Sequence, residues 1–318
     1  MPTLSTPAVE VAGLTKRFGD RTAVSELSFA VGRGRAFGLL GPNGSGKTTT
    51  VRLLTGLLTR DAGDVALFGE PLTDTSADRL RRRIGVQTDT ALYETLTVRE
   101  NLRLWGELHG VDRGGLDHRV DEVLDVLGLL DRAGSRVGEL SKGMRQKAAI
   151  GRAVLHEPEL LFLDEPTAGL DPEAAADLIA YLQLMIRAAH TTVTICTHQL
   201  HGLEALCDDV GIIEHGRLLA AGPVDDLLHR RWPRSRYRFT VGGDQARARA
   251  VIADTPGAAA EAVGDPAGPL RVTTPDPATL PDLVAALVRH DVPVHAVVPD
   301  RPTIEELYFA TIEDRGAA

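Results

Sequence analysis

Residues 41–48 read GPNGSGKT, and no other stretch limits what the chain can fold into so tightly. An apolar run, Arg35-Ala-Phe-Gly-Leu-Leu40, precedes them, and a helix-compatible run from Thr49 to Thr55 follows. Strand, glycine-rich turn and helix in that order, with G-x-x-x-x-G-K-[ST] in the turn, make a backbone suited to receiving an anion. Gly41, Gly44 and Gly46 let successive N–H groups curl inward. A helix starting near Gly46 adds the positive end of its dipole. Lys47 offers a point charge to β- and γ-phosphates, and the Thr48 hydroxyl a ligand for Mg²⁺. A chance glycine turn would lack the flanking strand and helix. The stretch is read as a nucleotide phosphate site.

Composition bounds what surrounds that site. The chain has 318 residues, enough for two domains or for one with an appendage. Its 43% hydrophobic and 25% charged content are ordinary for a globular protein that folds in water. No run of about 18 apolar residues occurs, so no bilayer span is expected. The opening MPTLSTPAVEVAGL lacks a basic region followed by an apolar core, so no secretory signal is expected. Cys196 and Cys207 stand at no zinc-ligand spacing and read as buried thiols in a reducing compartment. A net charge of −9 argues against a nucleic-acid partner, because phosphate contacts need a basic surface. The basic stretches Arg79–Arg83 and Arg230–Arg238 read as solvated faces or ion-pair partners.

Taken in order, Val9 to Val31 reads as short antiparallel strands with turns at Phe18-Gly19-Asp20 and Gly32-Arg33-Gly34. Phe18 has two readings by position: a core or hairpin residue, or an aromatic platform for a base. Gly63–Gly69 and Arg83–Gln87 read as strands, the second ending on a polar residue, Gln87. From Thr97 to Leu130 apolar residues recur at helical spacing, punctuated by Gly110 to Gly115, as in an all-α insertion within a parallel sheet. Leu160-Leu-Phe-Leu-Asp-Glu165 is a buried-strand run finishing in two acids. Ligands sit outside the carboxyl ends of such strands, so Asp164 and Glu165 can hold a metal and an attacking water. A helix from Pro172 to Ala189, a strand from Thr192 to Thr197 and His198 follow, and His198 again falls at a strand's carboxyl end. Beyond Arg230-Arg-Trp-Pro-Arg234 the pattern is β-α-β-β-α-β plus a helix, a split βαβ arrangement.

Leu140-Ser-Lys-Gly-Met144 precedes a helix over Arg145–Leu155 and, on its own, reads as a serine N-cap. Lying about twenty residues before Asp164, it completes an ordered set of motifs. From roughly Val9 to Leu228 the chain resembles the ATP-binding subunit of an ABC transporter. The resemblance implies a P-loop NTPase fold of class α/β. Its core is a mostly parallel sheet, joined by an antiparallel β subdomain and an inserted α-helical subdomain at about 88–155. These fill an ATP-binding domain over 1–229, with a small α+β accessory domain at 230–318. It implies that Phe18 stacks on adenine, and that Gly41, Pro42, Asn43, Gly44, Ser45, Gly46, Lys47, Thr48 and Thr49 form the Walker A loop. Gln87 becomes the Q-loop residue that senses Mg²⁺ and γ-phosphate. Ser141, Lys142 and Gly143 belong to the signature that caps the γ-phosphate of a second subunit. Asp164 becomes the Walker B acid on Mg²⁺, Glu165 the general base, Asp171 the D-loop acid and His198 the switch histidine. The metal set would be Thr48, Gln87 and Asp164, the cofactors ATP and Mg²⁺. The partners would be a transmembrane permease and a second ATPase subunit, identical or different, at the cytoplasmic face of the membrane.

Two departures matter: Lys142 stands where glycine is usual in the signature, and Met144 where glutamine is usual. That variant, with a C-terminal α+β extension, is similar to exporter ATPases of the daunorubicin-resistance type and favours export. Importers of the maltose type end instead in β-barrel modules, which the helical pattern at Leu280–His290 does not suit. A non-transport ABC ATPase acting on ribosomes or DNA is the rival. It is opposed by the single set of motifs and by the lack of coiled-coil heptads or cysteine clusters. A catalytically silent scaffold is opposed by Lys47, Asp164, Glu165 and His198. A further expectation concerns Leu92, Tyr93, Leu96 and Trp105, which either pack the helical lobe or line a groove for the membrane partner, with Tyr93 the best contact.

Overall fold

The computed structural model describes residues 6–88, 92–200, 203–262 and 268–316. It divides into two compact units, Met1–Val224 with Asp314–Ala318, and Asp225–Glu313. The first unit runs β1 (Val9–Phe18), β2 (Arg21–Val31), β3 (Ala36–Leu40), α1 (Lys47–Leu54), β4 (Ala62–Leu67), β5 (Glu70–Pro71), α2 (Ala77–Arg81), β6 (Ile84–Gln87), α3 (Val98–His109), α4 (Arg113–Val126), α5 (Lys142–Val154), β7 (Leu160–Asp164), α6 (Pro172–Ala189), β8 (Thr192–Thr197), β9 (Asp209–Glu214) and β10 (Arg217–Pro223).

The site is positioned by a six-stranded sheet of order β10-β9-β3-β8-β7-β6. Strands β3, β7 and β8 are buried at every residue, which is why they read as unbroken apolar runs. All pairings among β6, β7, β8, β3 and β9 are parallel, and only the β9–β10 hairpin is antiparallel. In register, Leu40 faces Thr197, Asp164 faces Cys196 and Gln87 faces Leu163. Four carboxyl ends therefore finish at one edge of the sheet, carrying Gly41, Gln87, Asp164 and His198. A second, antiparallel sheet of order β2-β1-β4-β5 supplies the other wall of this core. The two share one apolar cluster, in which Phe29 stacks on Phe37 at 5.1 Å.

Helices α3, α4 and α5 form the inserted lobe, whose Val98, Leu102, Val120, Leu124 and Ile150 share one apolar cluster with Leu161, Leu163, Val193 and Ile195 of the sheet. Thr97 starts α3 with a reciprocal capping box to Glu100. Gly110 ends α3 as expected, but Gly114 and Gly115 lie inside α4. The cap of Asp112, which accepts from the Gly114 N–H, starts that helix before them. Asp89, Thr90 and Ala91, at the entry to this block, lie outside the described residues. Both cysteines are free and buried. Arg79 pairs with Glu70, Arg81 with Asp78 and Arg83 with Glu159, as ion-pair partners should.

After α7 (Val224–Arg231), the second unit contains β11 (Ser235–Val241), α8 (Gln245–Asp254), β12 (Ala259–Ala262), β13 (Leu270–Thr274), α9 (Thr279–Arg289), β14 (Val294–Pro299) and most of α10 (Ile304–Gly316). Its sheet has the order β12-β13-β11-β14, antiparallel throughout. That is the split βαβ arrangement read from the sequence. Its core holds Tyr237, Phe239, Ile252, Val272, Leu283 and Leu287. On the opposite face of β11 and β13, Arg236, Arg238 and Arg271 close on Asp300 at 3.2, 2.8 and 2.6 Å. Burial alone would raise the Asp300 carboxyl, but the three guanidinium hydrogen bonds outweigh it and hold it below the usual carboxylate range.

Candidate functional site

The phosphate loop links β3 to α1, and its shape needs glycine. Gly46 caps α1 at φ 110°, and a Cβ there would lie 2.5 Å from the Ala23 carbonyl oxygen. A Cβ at Gly41 would lie 2.2 Å from the Ile213 carbonyl oxygen, so the backbone packs closer than any side chain permits. The first turn of α1 contains no acid of its own beside its positive end. Lys47 is buried, and its Nζ donates to the Gly41 and Pro42 carbonyls at 2.7 and 3.2 Å. Ser45 Oγ is buried without a hydrogen-bond partner.

The acids follow from where β7 stops. Thr48 Oγ1 donates to Asp164 Oδ2 at 2.5 Å, while Asp164 Oδ1 is buried and unpartnered. Burial pushes the Asp164 carboxyl above its ordinary range, against the Thr48 hydrogen bond, and the neighbouring Glu165 charge adds to the push. Glu165 is gripped from the end of β8. Thr197 Oγ1 donates to its Oε2 at 2.8 Å, the His198 N–H to its Oε1 at 3.0 Å, and His198 Nδ1 lies 2.7 Å from Oε1. Lys47 Nζ is 3.7 Å from the same oxygen. Gln87, at the end of β6, is buried with its Oε1 unpartnered.

A cleft of about 370 Å³ gathers Phe18, Arg21, Ala23, the loop residues Asn43, Gly44 and Gly46 to Thr49, Asp164 and Glu165. Phe18 is 51% exposed at its edge, with Lys16 Nζ 5.6 Å from the ring centroid. It is therefore no core residue, and a flat ligand can reach it. Of the expected site residues, Gly41, Pro42, Ser45, Gln87 and His198 do not line this cleft, although His198 holds Glu165, which does, and neither do Ser141, Lys142, Gly143 and Asp171. Ser141 caps α5 by accepting from the Met144 N–H at 3.2 Å, and Asp171 caps α6 by accepting from the Ala174 N–H at 2.9 Å. A Cβ at Gly143 would meet the Gly169 carbonyl at 3.3 Å, so these two caps are neighbours of one another.

Two residues of the site escaped the sequence reading. Arg21 reaches the Gly44 carbonyl at 3.4 Å from the β1–β2 hairpin, and its only signal was the turn at Gly19-Asp20. Thr197 was legible only as the last residue of a strand.

Comparison with known proteins bears on what such a cleft is for. A family model described as ABC transporter matches residues 24–168. The linearmycin resistance ATP-binding protein LnrL of Bacillus subtilis (strain 168) is 36% identical over 236 residues, 74% of this chain and 75% of that protein. This chain belongs to the ABC transporter ATP-binding family. The bacitracin transport ATP-binding protein BcrA of Bacillus licheniformis is 38% identical, over 70% of this chain and 72% of that one. A solved ATP-binding subunit of an ABC transporter superposes with a TM-score of 0.65 at 32% identity, covering 71% of this chain and 93% of that one. As an ABC transporter ATPase, the chain binds and hydrolyses ATP for a transporter. Among the described residues no helix is long and apolar enough to cross a membrane.

Proposed function

We propose that the chain is the ATPase of an exporter, docked peripherally on a permease at the cytoplasmic face of the membrane, and that it works as an ATP-sandwich dimer. The observation that carries this reading is the division of the motif residues. Lys47, Thr48, Asp164 and Glu165 converge on one cleft, while Ser141 and Asp171 cap exposed helix starts outside it. One copy thus grips ATP from one side only. In the dimer, Ser141 and Gly143 at the positive end of α5 close the γ-phosphate of the partner's nucleotide.

Within the cleft, Phe18 stacks on the base and the loop N–H groups from Gly41 to Thr49 cradle the phosphates. Lys47 leaves the carbonyls of Gly41 and Pro42 for β- and γ-phosphate oxygens. The residues fit Mg²⁺ bound along with phosphate oxygens. Asp164 Oδ1 and Gln87 Oε1 are buried acceptors lacking partners, and Thr48 already touches Asp164. Mg²⁺ held there would neutralise phosphate charge. Glu165 orients the attacking water and accepts its proton, held in aim by Thr197 and His198. We take His198, half-exposed and bonded to Glu165, as the residue that contacts the γ-phosphate.

Export is supported by the similarity to LnrL, a linearmycin resistance ATP-binding protein, and BcrA, a bacitracin transport ATP-binding protein. The Lys142 and Met144 signature variant and the C-terminal α+β unit point the same way. We assign 1–229 to the ATP-binding domain, with its helical part at about 88–155, and 230–318 to an accessory domain. The net charge of −9 is the reason no nucleic acid is proposed as a partner. For the permease, a groove of about 590 Å³ lies between sheet and helical lobe, lined by Leu57, Leu92, Tyr93, Trp105, His109 and His156 among others. Tyr93 is 53% exposed there, its backbone pinned by the buried Asn101 amide at 2.8 and 3.0 Å. Tyr93→Ala should leave basal ATPase of the subunit within about threefold, under about 1 kcal/mol. It should lower both transport and co-purification with the permease. Wild-type transport by this variant would move the docking surface elsewhere.

A further inference from the structure

Helix α5 buries seven residues against its surroundings, Gln146, Ala148, Ala149, Ile150, Gly151, Ala153 and Val154, and Gln146 alone is polar. An apolar side chain would fill that position without the cost of desolvating an amide. The amide is instead spent on two carbonyls: Gln146 Nε2 donates to Glu165 O at 3.1 Å and to Pro166 O at 3.2 Å. Those carbonyls belong to an unfavourable stretch of backbone. Glu165 sits at φ 50°, in the left-handed region that side chains with a Cβ avoid. It also precedes Pro166, and a residue before proline is driven toward extended conformations. Other restraints on this turn are the Glu165 N–H to Cys196 O bond at 2.8 Å and the Ala168 N–H to Glu165 O bond at 3.1 Å.

We infer that Gln146 is a positioning residue for Glu165: it clamps the strained turn that presents the carboxylate and ties that turn to the helix capped by Ser141. This rests on the reading of Glu165 as the general base. The two ends of α5 then serve two sites. Ser141 closes the partner's nucleotide, and Gln146, five residues on, sets the aim of the base in its own cleft. Displacement of α5 on dimer closure reaches Glu165 through two hydrogen bonds, so hydrolysis in one cleft responds to engagement of the other.

The test compares Gln146→Met, of similar shape without donors, with Glu165→Gln and with the double variant, in the full chain. Gln146→Met is expected to lower kcat at least tenfold, with ATP affinity by calorimetry within about twofold. In the Glu165→Gln background it should change the residual turnover by less than about twofold, because the strut has no base left to aim. If Gln146→Met does not fold, Gln146→Asn, whose shorter amide cannot span both carbonyls, carries the same comparison. Wild-type kcat in the folded variant overturns the proposal. So does a loss that multiplies with that of Glu165→Gln, or a parallel loss of ATP affinity. Near-normal turnover by Glu165→Gln alone would instead overturn the reading of Glu165 as base.

Discussion

Thr197→Val isolates one of the bonds that hold Glu165. The threonine is 2% exposed, and valine matches its shape, so the change removes an O–H donor and little volume. A hydrogen bond to a charged acceptor contributes a net of about 1.5–3 kcal/mol. The lower end applies here, because the carboxylate keeps the His198 N–H at 3.0 Å and His198 Nδ1 at 2.7 Å. Its side chain is also 23% exposed, so water can replace the lost donor. About 1.5 kcal/mol is roughly a tenfold loss in kcat. The Gln199 N–H, which donates to Thr197 Oγ1 at 2.9 Å in a part-buried bond, belongs to an exposed residue and can turn to water, so the fold should lose only about 1 kcal/mol. Steady-state phosphate release against ATP concentration reads the outcome: kcat down about tenfold, KM within about twofold, and recovery in Thr197→Ser. An unchanged kcat, or a loss carried by KM alone, would refute the idea that Thr197 aims the base.

Two further outcomes follow from the geometry. Lys47→Ala should weaken ATP binding as well as hydrolysis, since the ammonium meets phosphate in the ground state, and unchanged affinity by calorimetry would contradict the phosphate-loop assignment. His156 stacks on His109 at 4.0 Å, with Nε2 3.0 Å from the Ile84 carbonyl oxygen. Burial, aided by the charge of His109, pushes its imidazole down to about 4 from an unfolded value of 6.5. The unfolded chain therefore takes up a proton that the folded chain refuses. Stability from this group is complete above pH 6.5 and falls as pH drops toward 4, by about 2 kcal/mol between pH 7.5 and 5. Urea unfolding at those two pH values should show that slope in the wild type and a smaller one in His156→Gln; equal slopes would refute it.

How far the sequence disclosed this molecule depends on where each contact closes. The sheet core was legible because β3, β7 and β8 are covered on both faces, which forces unbroken apolar runs with punctuated ends. The phosphate loop was legible because its backbone admits only glycine at the closest approaches. The start of α4 was misjudged: Gly114 and Gly115 weaken a helix, but the Asp112 cap and the apolar face carrying Leu116, Val120 and Val123 outweigh them. Helices α2 and α7 and strand β5 were missed, being too short for periodicity to register. Thr197 and Gln146 act through residues distant in sequence, at separations of 32 and 19, and no local pattern encodes such pairing. The one available signal was polarity out of place, a glutamine on the buried face of α5.

In the proposed mechanism ATP is shared between two copies, and one measurement bears on that sharing most directly. Glu165→Gln removes the base but leaves the phosphate loop, Asp164 and the Ser141 cap, so nucleotide should bind and stay. Size-exclusion chromatography with light scattering, with Mg²⁺ and ATP added, is predicted to give a stable dimer carrying two uncleaved ATP. The same variant without nucleotide, or with Ser141→Arg added, is predicted to elute as a monomer. A monomer at saturating ATP would contradict the account, as would a dimer indifferent to both ATP and the Ser141 substitution.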